Sequence, residues 1–132
     1  MRHMGAVLEE METTLFPALQ QKHTAMPVVP EGARQSTLNI NSLHGGQNEL
    51  PADFTGWPSA CVPDSCRMVI DRRFLMEENI DDVKREISDI LETVKARRDK
   101  FRYDIKDMHQ VLPTMTAKDA PIVKTVSRAI EE

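Results

Sequence analysis

Apolar and polar residues alternate along Cys66-Arg67-Met68-Val69-Ile70-Asp71. Cys66, Met68 and Ile70 fall on one side of an extended chain, and Arg67, Val69 and Asp71 on the other. A period of two in a β-branched, apolar run predicts a half-buried strand. We place it over residues 61–71, with Pro63 at its entry or at a bulge, because proline has no N–H to give a ladder. Asp71-Arg72-Arg73 closes the strand with a dense charge cluster.

The same period recurs twice. Over residues 36–43, Leu38 and Ile40 are expected to face inward and Thr37, Asn39 and Asn41 outward. Over residues 101–111, Phe101, Tyr103 and Ile105 alternate with Arg102, Asp104 and Lys106, which predicts a third strand. His44-Gly45-Gly46 reads as a turn, and residues 24–35 and 47–58, rich in proline and polar residues, read as loops.

Elsewhere the period changes to three and four. Met4, Val7, Leu8, Met11 and Leu15 make one stripe of a helix over residues 2–16, which Pro17 is expected to stop or kink, with a restart over residues 17–22 as the alternative, since proline is tolerated in a first turn. Residues 79–96 read as the clearest helix. Asn79 is the expected N-cap, and Ile80, Val83, Ile87, Ile90, Leu91 and Val94 the buried stripe. Acidic residues crowd its start and Lys95, Arg97 and Arg98 its end, as the helix dipole favours. A last helix is expected over residues 119–131, with Ile122, Val123, Val126 and Ile130 on its apolar side.

The order is helix, strand, strand, helix, strand, helix. Helices on one face of a small antiparallel sheet define the α+β class. One strand placed before residues 1–111 would complete a ferredoxin-like split βαββαβ unit. The first helix begins almost at the first residue, without a capping segment. The expectation is that the chain starts inside a domain and that the first strand is missing.

Composition narrows the function. The 132 residues are 40% hydrophobic and 29% charged, enough for one core and too few for two. Aromatics are only 5%, so Leu, Ile, Val and Met must fill that core. A net charge of −4 argues against a nucleic-acid binder that works by neutralising phosphates. No apolar run reaches the roughly 18 residues of a membrane span. The N-terminus lacks the apolar core of a secretory signal. The expected location is the cytoplasm. Cys61 and Cys66 lie on one predicted strand, badly placed to bridge each other, and reduced thiols suit that compartment. A lone C-x4-C is not a zinc pattern, and His3, His23, His44 and His109 share no ligand spacing.

Four motifs, in order, carry a resemblance. Leu38-Asn39-Ile40-Asn41-Ser42, then Gly45-Gly46, then Cys61-Val62-Pro63-Asp64-Ser65-Cys66, then Asp71-Arg72-Arg73 resemble the lid domain of the acetylornithine deacetylase and succinyl-diaminopimelate desuccinylase family. These are zinc-dependent amidohydrolases and metallopeptidases, and their lid is also called the dimerisation domain. The resemblance implies a lid over residues 1–112 and a linker and first helix of the return into a catalytic domain over residues 113–132. It implies a hydrolase as the parent, with zinc or cobalt held by the parent's catalytic domain. No metal ligand, cofactor or catalytic residue is expected in this chain.

The resemblance also assigns a substrate contact. The family's lid arginine falls on Arg73, two residues after Asp71, while its lid asparagine falls on Ala60, a departure that removes one polar contact. The family's lid histidine would lie upstream of Met1. A guanidinium grips a carboxylate through a planar fork, and N-acyl amino acids carry that carboxylate. The plainer role for Arg73 is an ion pair with Asp71 or another neighbour.

The family's dimers imply a partner. Ser36, Thr37, Leu38, Asn39, Ile40 and Asn41 would form an outer edge strand, guarded by no lysine or proline, that pairs with a second copy beside the helix at 2–16. The gap left by a missing first strand would be closed by direct pairing of 61–71 with 101–111, or by a swapped strand. The competing reading is a free-standing ferredoxin-like module that binds a small molecule or a protein without catalysis.

Overall fold

The computed structural model describes residues 2–46, 52–56 and 65–131. Ala60 and the Cys61–Asp64 portion of the expected strand lie outside the described residues, as does most of the expected loop at 47–58.

The N-terminal helix does not end at Pro17. It runs as α1 (Arg2–Glu10), a π-helical turn (Met11–Leu15) and α2 (Phe16–Gln20). Pro17 has no N–H for an intrahelical bond, and the wider π turn just before it absorbs the mismatch. Thr13 Oγ1 donates to the Glu9 carbonyl at 2.8 Å, and Thr14 Oγ1 to that of Glu10 at 2.6 Å. Hydroxyls thus serve carbonyls at the irregular turn. Because the helix carries on, Val7, Met11, Leu15 and Leu19 all reach the core.

The sheet contains β1 (Thr37–Gly45) and β2 (Cys66–Arg73), paired antiparallel. Leu38 lies opposite Arg72, Ile40 opposite Ile70 and Leu43 opposite Met68, and the register shifts between Ile40 and Ser42. That bulge keeps Leu43 on the same face as Leu38 and Ile40, although it lies an odd three positions after Ile40. Only part of this face is covered. Leu38 and Met68 pack on the core, whereas Ile40, expected inward, is 38% exposed on the outer strand. His44 is not in a turn: the ladder continues through it to Gly45, with His44 opposite Arg67.

α3 (Ile80–Arg97) forms as the periodicity predicts. Asn79 Oδ1 accepts from the Asp81 N–H at 2.8 Å, the cap expected of an asparagine there. Val83, Ile90 and Val94 are buried, and Ile90 and Val94 join the stripe of the first helix with Phe101 in one core.

The third strand does not form. Residues 101–117 have no regular secondary structure, and no ladder joins them to β2. Their alternation is nonetheless real at the start: Phe101 is buried and Tyr103 half-buried, while Arg102 and Asp104 are exposed. Those inward side chains pack on helices. The Phe101 ring stacks on His3 with centroids 5.4 Å apart, and the Tyr103 hydroxyl donates to Glu92 while Lys95 lies over its ring. A strand needs a backbone partner, and among the described residues this segment has none. Two strands and the helices make an α+β fold; the full split βαββαβ order is not formed by the described residues. α4 (Pro121–Glu131) follows, with Ile122, Val126 and Ile130 exposed.

Candidate functional site

The charge cluster that closes β2 is divided by the pleat. Alternation sends Arg72 to the helix face and Arg73 to the other. Arg72 Nη2 reaches Glu78 Oε1 at 2.7 Å and Glu86 Oε2 at 3.0 Å, and its Nε also donates to Glu86 at 3.2 Å. Lys22 Nζ approaches the same Glu78 oxygen at 2.9 Å and pairs with Glu86 as well. Ser36 donates its hydroxyl to Glu78, and the Leu75 N–H donates to Glu78 Oε2 at 2.8 Å.

Two cations and two carboxylates therefore close a part-buried network that ties the segment after α2 and the residue before β1 to β2 and α3. Burial pushes the Glu78 carboxyl up, but the donors around it outweigh burial and hold it down at about 2. Burial pushes Lys22 down, and its hydrogen bonds to Glu86 and Glu78 more than restore it, so its net shift is upward.

This network also corrects one expectation. Ser36 is not an edge residue. It precedes β1, is 2% exposed, and its N–H donates to the Lys22 carbonyl at 3.2 Å. Thr24 N–H donates to the Arg34 carbonyl at 2.9 Å, so residues 22–24 cover the approach to β1 up to Ser36. The strand's own outer side, from Thr37 onward, has no ladder partner among the described residues.

Arg73 is placed differently. Its Nε donates to Asp71 Oδ2 at 3.2 Å, and the side chain is otherwise exposed. Nε is the inner edge of the guanidinium, so the Nη1/Nη2 edge has no partner among the described residues. The contact is an exposed surface ion pair, and it leaves the outer fork of the guanidinium open to solvent. The arginine stands at the mouth of a cleft of about 390 Å³ between the end of β2, the start of α3 and the segment 107–113. Lys84 Nζ pairs with Asp107 Oδ2 at 2.6 Å and pins that segment to α3.

Sequence reasoning singled out Arg73 and missed the network beside it. Lys22, Ser36, Arg72, Glu78 and Glu86 are scattered over 65 positions, and no local spacing marks them. The sole local signal was the alternation itself, which forces adjacent arginines onto opposite faces. Cys66 is a half-buried free cysteine. Among the described residues, no three His, Cys, Asp or Glu side chains converge as a metal site would require.

A two-stranded antiparallel sheet backed by an N-terminal helix and a capped second helix is the frame of a small α+β interaction domain. The family is given by the chain itself: the model of the peptidase dimerisation domain matches residues 1–99, and the chain belongs to that family. No curated protein and no solved structure matches it. No helix among the described residues is long and apolar enough to cross a membrane.

Proposed function

We propose that this chain is the lid of a zinc-dependent amidohydrolase that cleaves the amide of N-acyl amino acids in the cytoplasm, of the acetylornithine deacetylase and succinyl-diaminopimelate desuccinylase type. The observation that carries this reading is the peptidase dimerisation match over residues 1–99. The lid has two tasks. It joins two copies through the outer side of β1 and the face of α1, and it offers Arg73 to the substrate carboxylate. Residues 113–132 lead into the catalytic domain, and the exposed apolar face of α4 packs there.

Among the described residues, no three His, Cys, Asp or Glu side chains come together as a metal site requires. On this reading the zinc belongs to the catalytic domain, and the lid's part is recognition. A carboxylate held in the guanidinium fork fixes the far end of the substrate, and fixing one end orients the amide at the other.

The assembly is tested by light scattering of the purified chain at micromolar concentration. A two-fold dimer is expected. A monomer at every concentration would remove the interface on which the lid reading depends.

A further inference from the structure

We infer that the cleft beside Arg73 selects acyl amino acids with an apolar side chain, in preference to cationic ones. The inference deepens the reading above and rests on Arg73 holding the substrate carboxylate. One half of the selection lies in the charges of the cleft. Its two lining carboxylates among the described residues are Asp71 and Asp107, and each is already paired, with Arg73 and Lys84 respectively. An ammonium-bearing side chain entering here meets no free anion. Arg72, Arg73 and Lys84 line the same cleft, so an ammonium brought here meets more cations than carboxylates.

The walls carry the other half. Phe74 and Val83 line the inner side, and Val111 and Leu112 line the facing segment. Val111 and Leu112 are well exposed although they face the cleft, so they are available to cover an incoming apolar group. A leucine-like side chain would remove its own surface and theirs from water together. Carboxylate at the outer fork of Arg73 and aliphatic body against Val111 and Leu112 is the pose that satisfies both halves.

The test titrates the full 132-residue chain, with labelled methyl groups and arginine Nε, against three probes by NMR. They are N-acetylleucine, N-acetylornithine and N-acetylleucinamide. N-acetylleucine is expected to shift the Val83, Val111 and Leu112 methyls and Arg73 Nε–H saturably. The amide, which lacks the carboxylate, and N-acetylornithine are each expected to bind about tenfold more weakly or worse. Leu112→Asp should lower affinity for N-acetylleucine and raise it for N-acetylornithine. Ornithine binding as tight as leucine, still dependent on Arg73, overturns the apolar selection and leaves the carboxylate contact standing. Binding unchanged by Arg73→Gln overturns the carboxylate contact itself. Absence of saturable shifts at these methyls overturns the inference, while the dimer measurement stands apart.

Discussion

Arg72 and Arg73 are chain neighbours with opposite surroundings: the side chain of Arg72 is 7% exposed between Glu78 and Glu86, and that of Arg73 is 75% exposed beside Asp71. The pleat of β2 makes the division, and it separates a residue tied into the fold from one whose side chain stands largely in solvent.

The two arginines therefore predict different phenotypes. Arg72→Ala leaves Glu78 and Glu86 buried with one cation fewer, and should destabilise the chain by about 3 kcal/mol or more. Arg73→Ala removes an exposed, singly bonded pair, and should change stability by less than about 1 kcal/mol. In the amidohydrolase proposed above, the same Arg73→Ala should lower kcat/KM by an amount equivalent to about 2–3 kcal/mol of transition-state stabilisation. Denaturant unfolding of both variants and kinetics on an N-acyl amino acid check this. Equal stability losses would mean that the two sites are not separated as described.

Glu78 predicts a pH dependence. Its carboxyl sits at about 2 in the folded chain against an ordinary 4.5. A depressed pKa means that the unfolded chain takes up the proton more readily. The stability Glu78 contributes is therefore fully present above about 4.5 and is lost as pH falls toward about 2. Thermal melts of the wild type should decline across that window, and Glu78→Gln, less stable at neutral pH, should decline less. Parallel pH profiles for the two proteins would show that Glu78 is not the titrating group.

Lys100 is the one described non-glycine residue with positive φ, at 64°. It follows the end of α3, where a left-handed residue reverses the chain, and a Cβ there is strained. Lys100→Gly should raise stability by up to about 1 kcal/mol, since among the described residues its side chain makes no ion pair that the change would break. A loss of stability in urea unfolding would show that the lysine stem packs usefully.

The outer side of β1 predicts the assembly. Asn39→Pro removes an N–H and should abolish pairing with a second copy if that N–H points outward, and Ile40→Lys should weaken it through charge at an exposed position. Sedimentation or scattering should report a shift to monomer, while circular dichroism stays near wild type. A dimer indifferent to both changes would place the interface elsewhere.

What could be read from the sequence was whatever depends on neighbours in the chain. The stripe of α3, the Asn79 cap, the alternation of β2 and the α+β class all follow from local spacing, because period and capping act over a few residues. The α1 stripe was legible too, and a helix restarting at Pro17 was one of the outcomes its sequence allowed, but the choice between a stop, a kink and a continuation was not. That outcome depended on a π turn, on Thr13 and Thr14 hydroxyls, and on Leu19 gaining a place in the core. Residues 101–111 show the limit most clearly. Their alternation marked Phe101 and Tyr103 as inward, yet a strand also requires a second backbone, and only the tertiary arrangement decides whether one lies alongside. The same holds for Arg72. Nothing near it in the chain except Glu78 announces its partners: Glu86 comes to it from α3, and Lys22 and Ser36 join the same glutamates from other parts of the chain, so this pairing exists only once the chain has folded.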